Sequence, residues 1–296
     1  MILITGATGT NGREIVKQLS DKGVKIRVMI RKRENAGLAH PSNIEYVIGN
    51  FDDFATLGGA LAEVERAFLL SPSSAEQVTR EGNFIRAAKR AGVHHVVRFS
   101  ILGAEPDSPS RLIRRHGQAE QLLRDSGMAF TMLRPSYFMQ NLFWHAKDIR
   151  SRGVFYSALP ATCKHSHVDV RDNAAVAVAA LTESGHEGKI YRITGPEALT
   201  YQEVAEILSD ATGKKVDFDN SLKNYSRFLK DLGLDVNEVL ELDACVAKGA
   251  GDGSAVTNTI FELTRRQPIR FAQFAGDYSQ LFKEANFPRQ NGIIRN

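Results

Sequence analysis

The chain has 296 residues, 43% of them hydrophobic and 24% charged, which is ordinary for a globular protein and enough for one large α/β domain or a nucleotide-binding domain with a smaller lobe. No segment approaches the ~18 unbroken apolar residues of a membrane span. The opening run of residues 1–5 meets Gly6 with no basic stretch before it, so it reads as a strand and not as a signal peptide. A net charge of +4 and a pI near 9.0 are mild, and the basic residues are scattered apart from 31–33 and 114–115. That pattern excludes the basic stripe of a nucleic-acid binder and favours small anionic molecules as partners. Cys163 and Cys245 fit neither a metal spacing nor a disulfide framework, so a reducing, cytoplasmic setting is expected.

In chain order, residues 2–5 form an apolar strand and 12–22 carry Ile15, Val16 and Leu19 at helical spacing. Strands follow at 24–30 and 44–48, a helix at 54–63, a strand at 66–70, and a helix at 75–91 with Phe84, Ile85 and Ala88 on one face. A strand at 95–99, a helix at 111–125 and a strand at 129–133 complete the alternation. Strands separated by helices of this length predict parallel pairing with right-handed crossovers, hence a doubly wound sheet. Beyond about residue 150 the rhythm changes. Residues 167–170 and 190–193 read as isolated strands, and 172–182 and 200–211 as helices, the latter opening with the capping box Thr200-Tyr-Gln-Glu203. The glycine-rich stretch 248–254 lacks a leading strand and reads as a connector. The expected division is 1–155 plus the strand near 189–195 for the sheet, with 156–188 and 196–296 as a smaller, mainly helical C-terminal lobe.

The strongest local signal is Gly6-Ala7-Thr8-Gly9-Thr10-Asn11-Gly12, set between a strand and a helix. Gly6 lets the chain turn off the strand, Gly9 leaves room for main-chain amides to approach a diphosphate, and Gly12 lets the helix pack closely. The helix N-terminus adds unpaired amides and partial positive charge. The unit predicts a Rossmann-type fold that binds a dinucleotide. About 20 residues beyond the glycines an NAD site usually carries a carboxylate for the ribose 2′-hydroxyl. This chain has Arg31, Lys32 and Arg33 there, which predicts recognition of a 2′-phosphate and NADP(H) in preference to NAD(H).

With GATGTNG at 6–12, the chain continues through IGNFDD at 48–53, HGQAEQLLRDSG at 116–127, FTMLRPSYFMQN at 130–141, VDVRD at 168–172 and YRITGP at 191–196. Together these resemble the NmrA-like group of atypical short-chain dehydrogenases/reductases. The resemblance implies that Asn50, Phe51 and Asp52 lie near the adenine. It puts Ser71, Pro72 and Ser73 along the ribose and diphosphate, and Pro135, Ser136, Tyr137 and Phe138 beside the nicotinamide. It also implies either of two roles, since the group holds NADPH-dependent quinone and dye reductases as well as NADP-binding regulators.

The Tyr-x-x-x-Lys dyad of the main short-chain branch is missing, because neither residue occurs between Arg98 and Phe130. A reductase would then hand hydride directly to a small aromatic or quinone-like acceptor held in a crevice beside the cofactor. His116 or Tyr137 are its candidate proton donors, and Ser100 is a candidate substrate-facing hydroxyl or a plain strand-end cap. The alternative is a non-catalytic redox sensor that reports NADP(H) to a protein partner. A sugar-nucleotide epimerase would need the missing dyad. Phe138, Met139, Phe143 and Trp144 are either an aromatic platform for the acceptor or packing. Asp169, Arg171 and Asp172 are expected to cap a helix at Asp172 and form a buried ion pair. His165 and His167 lack further ligands, so no metal is expected.

Overall fold

The computed structural model describes residues 1–32 and 41–284; Arg33 lies outside them. In chain order the elements are β1 (Ile2–Ile4), α1 (Thr10–Asp21), β2 (Ile26–Ile30), β3 (Ile44–Ile48), α2 (Phe54–Ala60), β4 (Arg66–Leu69), α3 (Gln77–Arg90), β5 (His95–Phe99), α4 (Arg111–Asp125) and β6 (Ala129–Pro135). A 3-10 turn at Met139–His145 leads to α5 (Ala146–Arg152), β7 (Val154–Tyr156), β8 (Lys164–His165), α6 (Val170–Thr182), β9 (Lys189–Ile193) and β10 (Leu199–Thr200). The remaining described elements are α7 (Tyr201–Thr212), β11 (Asp217–Asp219), α8 (Leu222–Asp231), α9 (Val236–Ala247), α10 (Thr259–Thr264), α11 (Phe271–Asp277) and α12 (Ser279–Lys283). None of the described helices is long and apolar enough to cross a membrane.

Seven strands form one sheet in the order β3-β2-β1-β4-β5-β6-β9. The pairs from β3 through β6 are parallel. The order reverses between β1 and β4, which is the doubly wound arrangement that the alternation predicts. Both β2 and β5 are buried along their whole length, as interior strands of a covered parallel sheet must be. Leu3, Leu57, Leu69, Phe84, Val96, Leu123 and Met132 belong to one apolar core. Each such side chain contributes about 1.5–3 kcal/mol on burial. The stretch at 190–193, isolated in the sequence rhythm but assigned to the sheet, is its outermost strand, beside β6. A strand added after a long excursion of the chain has no local signal to reveal its neighbour.

The chain divides into two compact units. The first comprises 1–108, 112–134 and 173–192, and the second 109–111, 135–172 and 193–296. This differs from the expected boundaries near 155 and 188. The chain leaves the sheet unit as soon as β6 ends, and returns to it with Asn173–Leu181 of α6, all of which are buried.

The second unit has its own core, in which Phe143, Phe155, Leu208, Phe271, Phe274 and Phe282 pack together. Two short ladders brace it, β7 with β11 in parallel and β8 with β10 antiparallel. The Thr200 capping box opens α7 as expected, with both reciprocal hydrogen bonds formed. At the start of α6 the roles of the two aspartates differ from expectation. Asp169 accepts from the Arg171 amide and pairs with its guanidinium at 2.8 Å. Asp172, already inside the helix, accepts from the Ile269 amide at 2.7 Å. The stretch 167–170 is no strand either, since Val168 makes only an isolated bridge to Phe138. The 248–254 loop is pinned, because the Gly253 carbonyl accepts from the Ser166 amide and hydroxyl.

Candidate functional site

Local chemistry shapes the turn after β1. Thr5 ties the end of β1 to β4: its hydroxyl donates to the Phe68 carbonyl at 3.0 Å and accepts from the Leu70 amide at 2.9 Å. Gly6 follows at φ +64, where a side chain would be strained, and a Cβ there would sit 2.7 Å from the Leu70 carbonyl oxygen. The Gly9 amide closes the loop on the Gly6 carbonyl at 3.0 Å, and Arg13 Nε donates to the Thr8 carbonyl at 2.7 Å. A Cβ on Gly12 would lie 2.2 Å from the Gly6 oxygen, so only glycine lets α1 begin this close to the strand.

Gly9 is the N-cap of α1 and has no side chain to satisfy the first-turn amides. Those amides therefore face outward for a ligand or water. Gly9 is exposed and Thr8 and Thr10 are half-buried, whereas Asn11 is buried with its Oδ1 3.5 Å from Asn173 Nδ2. Bare main chain, an uncapped helix start and no acidic side chain in the loop are the donor set that a diphosphate requires. The residues present fit a dinucleotide.

Arg31 and Lys32 follow β2 directly, both exposed. Neither makes a hydrogen bond or ion pair among the described residues. Beyond β3, Asn50 is exposed and its Oδ1 accepts from the Asp52 amide at 3.1 Å. The Asp52 carboxylate is committed to Arg80, with three hydrogen bonds of 2.9–3.1 Å. Between them the Phe51 ring turns into the core, tilted against Phe84 at 5.9 Å, which leaves only its main chain at this edge. Past β4, Ser71 is buried and donates to Glu81 at 2.7 Å, while Pro72 and Ser73 are exposed.

Beneath this edge lies a buried charged network that sequence reasoning missed. Arg98 is fully buried and donates to Glu81 at 2.6 Å. Arg98 Nη2 also stands 3.3 Å from His116 Nδ1, and His116 Nε2 stands 3.4 Å from Gln77 Nε2. Burial, with the Arg98 and Arg115 cations nearby, holds His116 well below its ordinary pKa and hence neutral. A neutral imidazole that is closed off in this way is no ready acid. Ser100 is equally engaged, its hydroxyl donating to Glu120 Oε1 at 2.6 Å. Glu120 is fully buried and also accepts from Arg134 and Arg124. Ser100 therefore anchors the end of β5 to α4 and is not presented as a free hydroxyl.

The second unit places Pro135 and Ser136 in its interior, Ser136 donating through its amide to the Ile193 carbonyl at 2.8 Å. Tyr137 and Phe138 are half-buried. The Tyr137 hydroxyl donates to Asp243 Oδ1 at 3.3 Å. Of the residues read as platform or packing, Met139 and Phe143 are core, Phe143 stacking on Phe274 at 5.7 Å, while Trp144 is 44% exposed. Trp144 lines a groove of about 560 Å³ with Lys147, Arg152, Asn224, Arg227 and Phe228. Among the described residues no group of His, Cys, Asp and Glu could hold a metal ion.

The NmrA-like family model matches residues 1–247. The chain belongs to the NmrA-like family. An NAD(P)H azoreductase of Xenophilus azovorans is 36% identical over 287 residues, covering 96% of this chain and 100% of the relative. A (4-alkanoyl-5-oxo-2,5-dihydrofuran-3-yl)methyl phosphate reductase of Streptomyces griseus is 36% identical over 288 residues, 95% of this chain and 99% of that one. The crystal structure of the NADPH-dependent quinone oxidoreductase QOR2 of Escherichia coli, complexed with NADPH, superposes with a TM-score of 0.82 at 30% identity, over 94% of this chain and 99% of that one.

Proposed function

We propose that this NmrA-like protein is an NADPH-dependent oxidoreductase that reduces a small aromatic or quinone-like acceptor. The observation that carries the cofactor choice is the pair Arg31 and Lys32, exposed at the end of β2 in the place of a carboxylate. A guanidinium there can meet a 2′-phosphate with two parallel hydrogen bonds and stack on the neighbouring base. The azoreductase and quinone-reductase relatives support the reaction class.

When bound, the nicotinamide would supply a hydride to the acceptor. The chain's own residues do the rest. The amides from Gly9 onward hold the diphosphate, and Thr5 with the Ser71–Glu81–Arg98 network fixes the strand ends that shape the loop. Those buried partners leave the loop little freedom, which is what positioning a hydride donor demands.

The test is Arg31→Glu, measured by calorimetry with NADPH and NADH. NADPH affinity should fall about 100-fold, equivalent to ~2.7 kcal/mol, while NADH changes by less than about threefold. Equal losses remove the case for phosphate recognition. Steady NADPH oxidation with quinones or dyes supports the reductase; tight binding without turnover on any acceptor points to a sensor.

A further inference from the structure

The one buried residue of helix α9 is Asp243. A surface helix normally buries its apolar face, and α9 carries Val236, Val239, Leu240 and Val246 for that purpose. Enclosing a carboxylate instead opposes stability unless its charge is answered or removed. Among the described residues no cation answers it. The titratable groups facing Asp243 are Tyr137 after β6, Tyr225 on α8, Tyr201 on α7 and Cys163 after β7, all neutral in ordinary buffers. The Tyr137 and Tyr225 hydroxyls both favour its charged form, Tyr137 by donating to Oδ1, while no donor stands within hydrogen-bond distance of Oδ2.

The surroundings are aromatic and underused in the same way. The Tyr137 ring lies 5.1 Å from that of His165, which is itself 5.7 Å from Tyr201. His165 is fully buried, yet neither ring nitrogen has a partner. Buried polar atoms without partners are uncommon in folded proteins and ask for a ligand or a proton-handling role. Flat rings with unmatched polar edges suit a planar acceptor bearing carbonyl oxygens.

Resting on the reductase reading above, we infer that Tyr137 gives the acceptor its proton and that Asp243 is the positioning residue that recharges Tyr137. A quinone that gains a hydride becomes a hydroquinone monoanion. Its oxygen takes the proton of the Tyr137 hydroxyl, and the Tyr137 oxygen takes the proton of the neutral Asp243 carboxyl. The products are a hydroquinone and the Asp243 carboxylate, which regains its proton from water. When Asp243 is ionised the Tyr137 hydrogen points at Oδ1 and delivery stops. Burial raises the Asp243 carboxyl to about 6, so delivery weakens as pH rises through that value. Burial and then the Asp243 charge raise the Tyr137 phenol well above its usual range, so it is a slow donor unless a neutral Asp243 carboxyl replaces the proton it gives.

The experiment compares two acceptors. A p-benzoquinone needs a hydride and a proton, whereas a cationic triphenylmethane dye needs a hydride alone. Tyr137→Phe and Asp243→Asn should each lower the ratio of quinone to dye kcat by about tenfold or more. In the wild-type protein that ratio should fall as pH rises through about 6, and the dependence should vanish in Asp243→Asn. Without cofactor, ultraviolet titration of the phenols should begin at lower pH in Asp243→Asn, because a charge that opposes ionisation is gone. If Asp243→Asn does not fold, Tyr137→Phe, which keeps the ring, reads the same ratio. Unmoved ratios with both acceptors still turned over overturn the inference alone. A wild-type protein that reduces neither acceptor overturns the reductase reading and this inference with it.

Discussion

Substitutions at Gly9 and Gly12 should separate cofactor binding from folding. An alanine Cβ at Gly9 would find only the Gly6 oxygen, at 3.4 Å, an ordinary contact, and Gly9 sits at φ −83, which alanine adopts freely. Gly9→Ala should therefore melt within about 2 °C of the wild type, since surface changes of this kind stay within ~0.5 kcal/mol. The methyl would instead stand where a diphosphate approaches the first-turn amides. Losing one charge-assisted hydrogen bond of ~1.5–3 kcal/mol lowers NADPH affinity about 10-fold to 150-fold. At Gly12 the Cβ would meet the Gly6 oxygen at 2.2 Å and the Ala7 Cα at 2.7 Å, main-chain atoms that cannot swing aside. Gly12→Ala should cost about 1–3 kcal/mol in stability, or several degrees of Tm, through overpacking. Thermal melts without cofactor and fluorescence titration with NADPH measure both effects. A Gly9→Ala protein that binds NADPH as tightly as wild type would refute the assignment of this turn to the diphosphate.

Three further outcomes follow from the same geometry. Asp172 is buried, which raises its carboxyl to about 6, above the ~4 of an unfolded chain. The folded protein therefore holds a proton that the unfolded chain releases, and this contribution to stability is lost as pH rises from about 4 through 6. Asp172→Asn, which keeps an acceptor for the Ile269 amide, should raise Tm at neutral pH, with the gain shrinking toward pH ~4; no gain at neutral pH would contradict it. Ser100→Ala should cost about 1 kcal/mol by removing a donor from Glu120 and change kcat by less than about threefold; a hundredfold loss would mean that Ser100 acts on the acceptor. Raising ionic strength from about 0.05 to 0.5 M should weaken NADPH more than NADH, because exposed Arg31 and Lys32 are screened; equal weakening would argue against their role.

The sheet was legible because its signals are local. Residues 95–99 show a strand's apolar run, Thr200 and Glu203 form a capping box within one turn, and the first glycine loop sits where a strand must hand over to a helix. The partners that set the chemistry were not, because they meet across the chain. Ser100 finds Glu120, and Tyr137 finds Asp243 from 106 residues away, by tertiary packing that no periodicity encodes. A partial signal did exist: Arg98 interrupts the otherwise apolar strand His95–Phe99, and Gln77 and Glu81 fall on the same helical face as Phe84, Ile85 and Ala88. A charge inside such a run demands a buried counterpart.

The division of the chain also bears on how it is made. The sheet's outermost strand, β9, is translated only after the excursion at 135–172 and helix α6. Until then β6 offers an unpaired strand edge, the kind of surface that pairs promiscuously between nascent molecules. A nonsense mutation or a protease cut in the excursion would leave that edge permanently open, so the product expected is an aggregate and not a smaller working dinucleotide domain. Any attempt to graft this cofactor module onto another protein has to carry residues 173–192 along with the first 134.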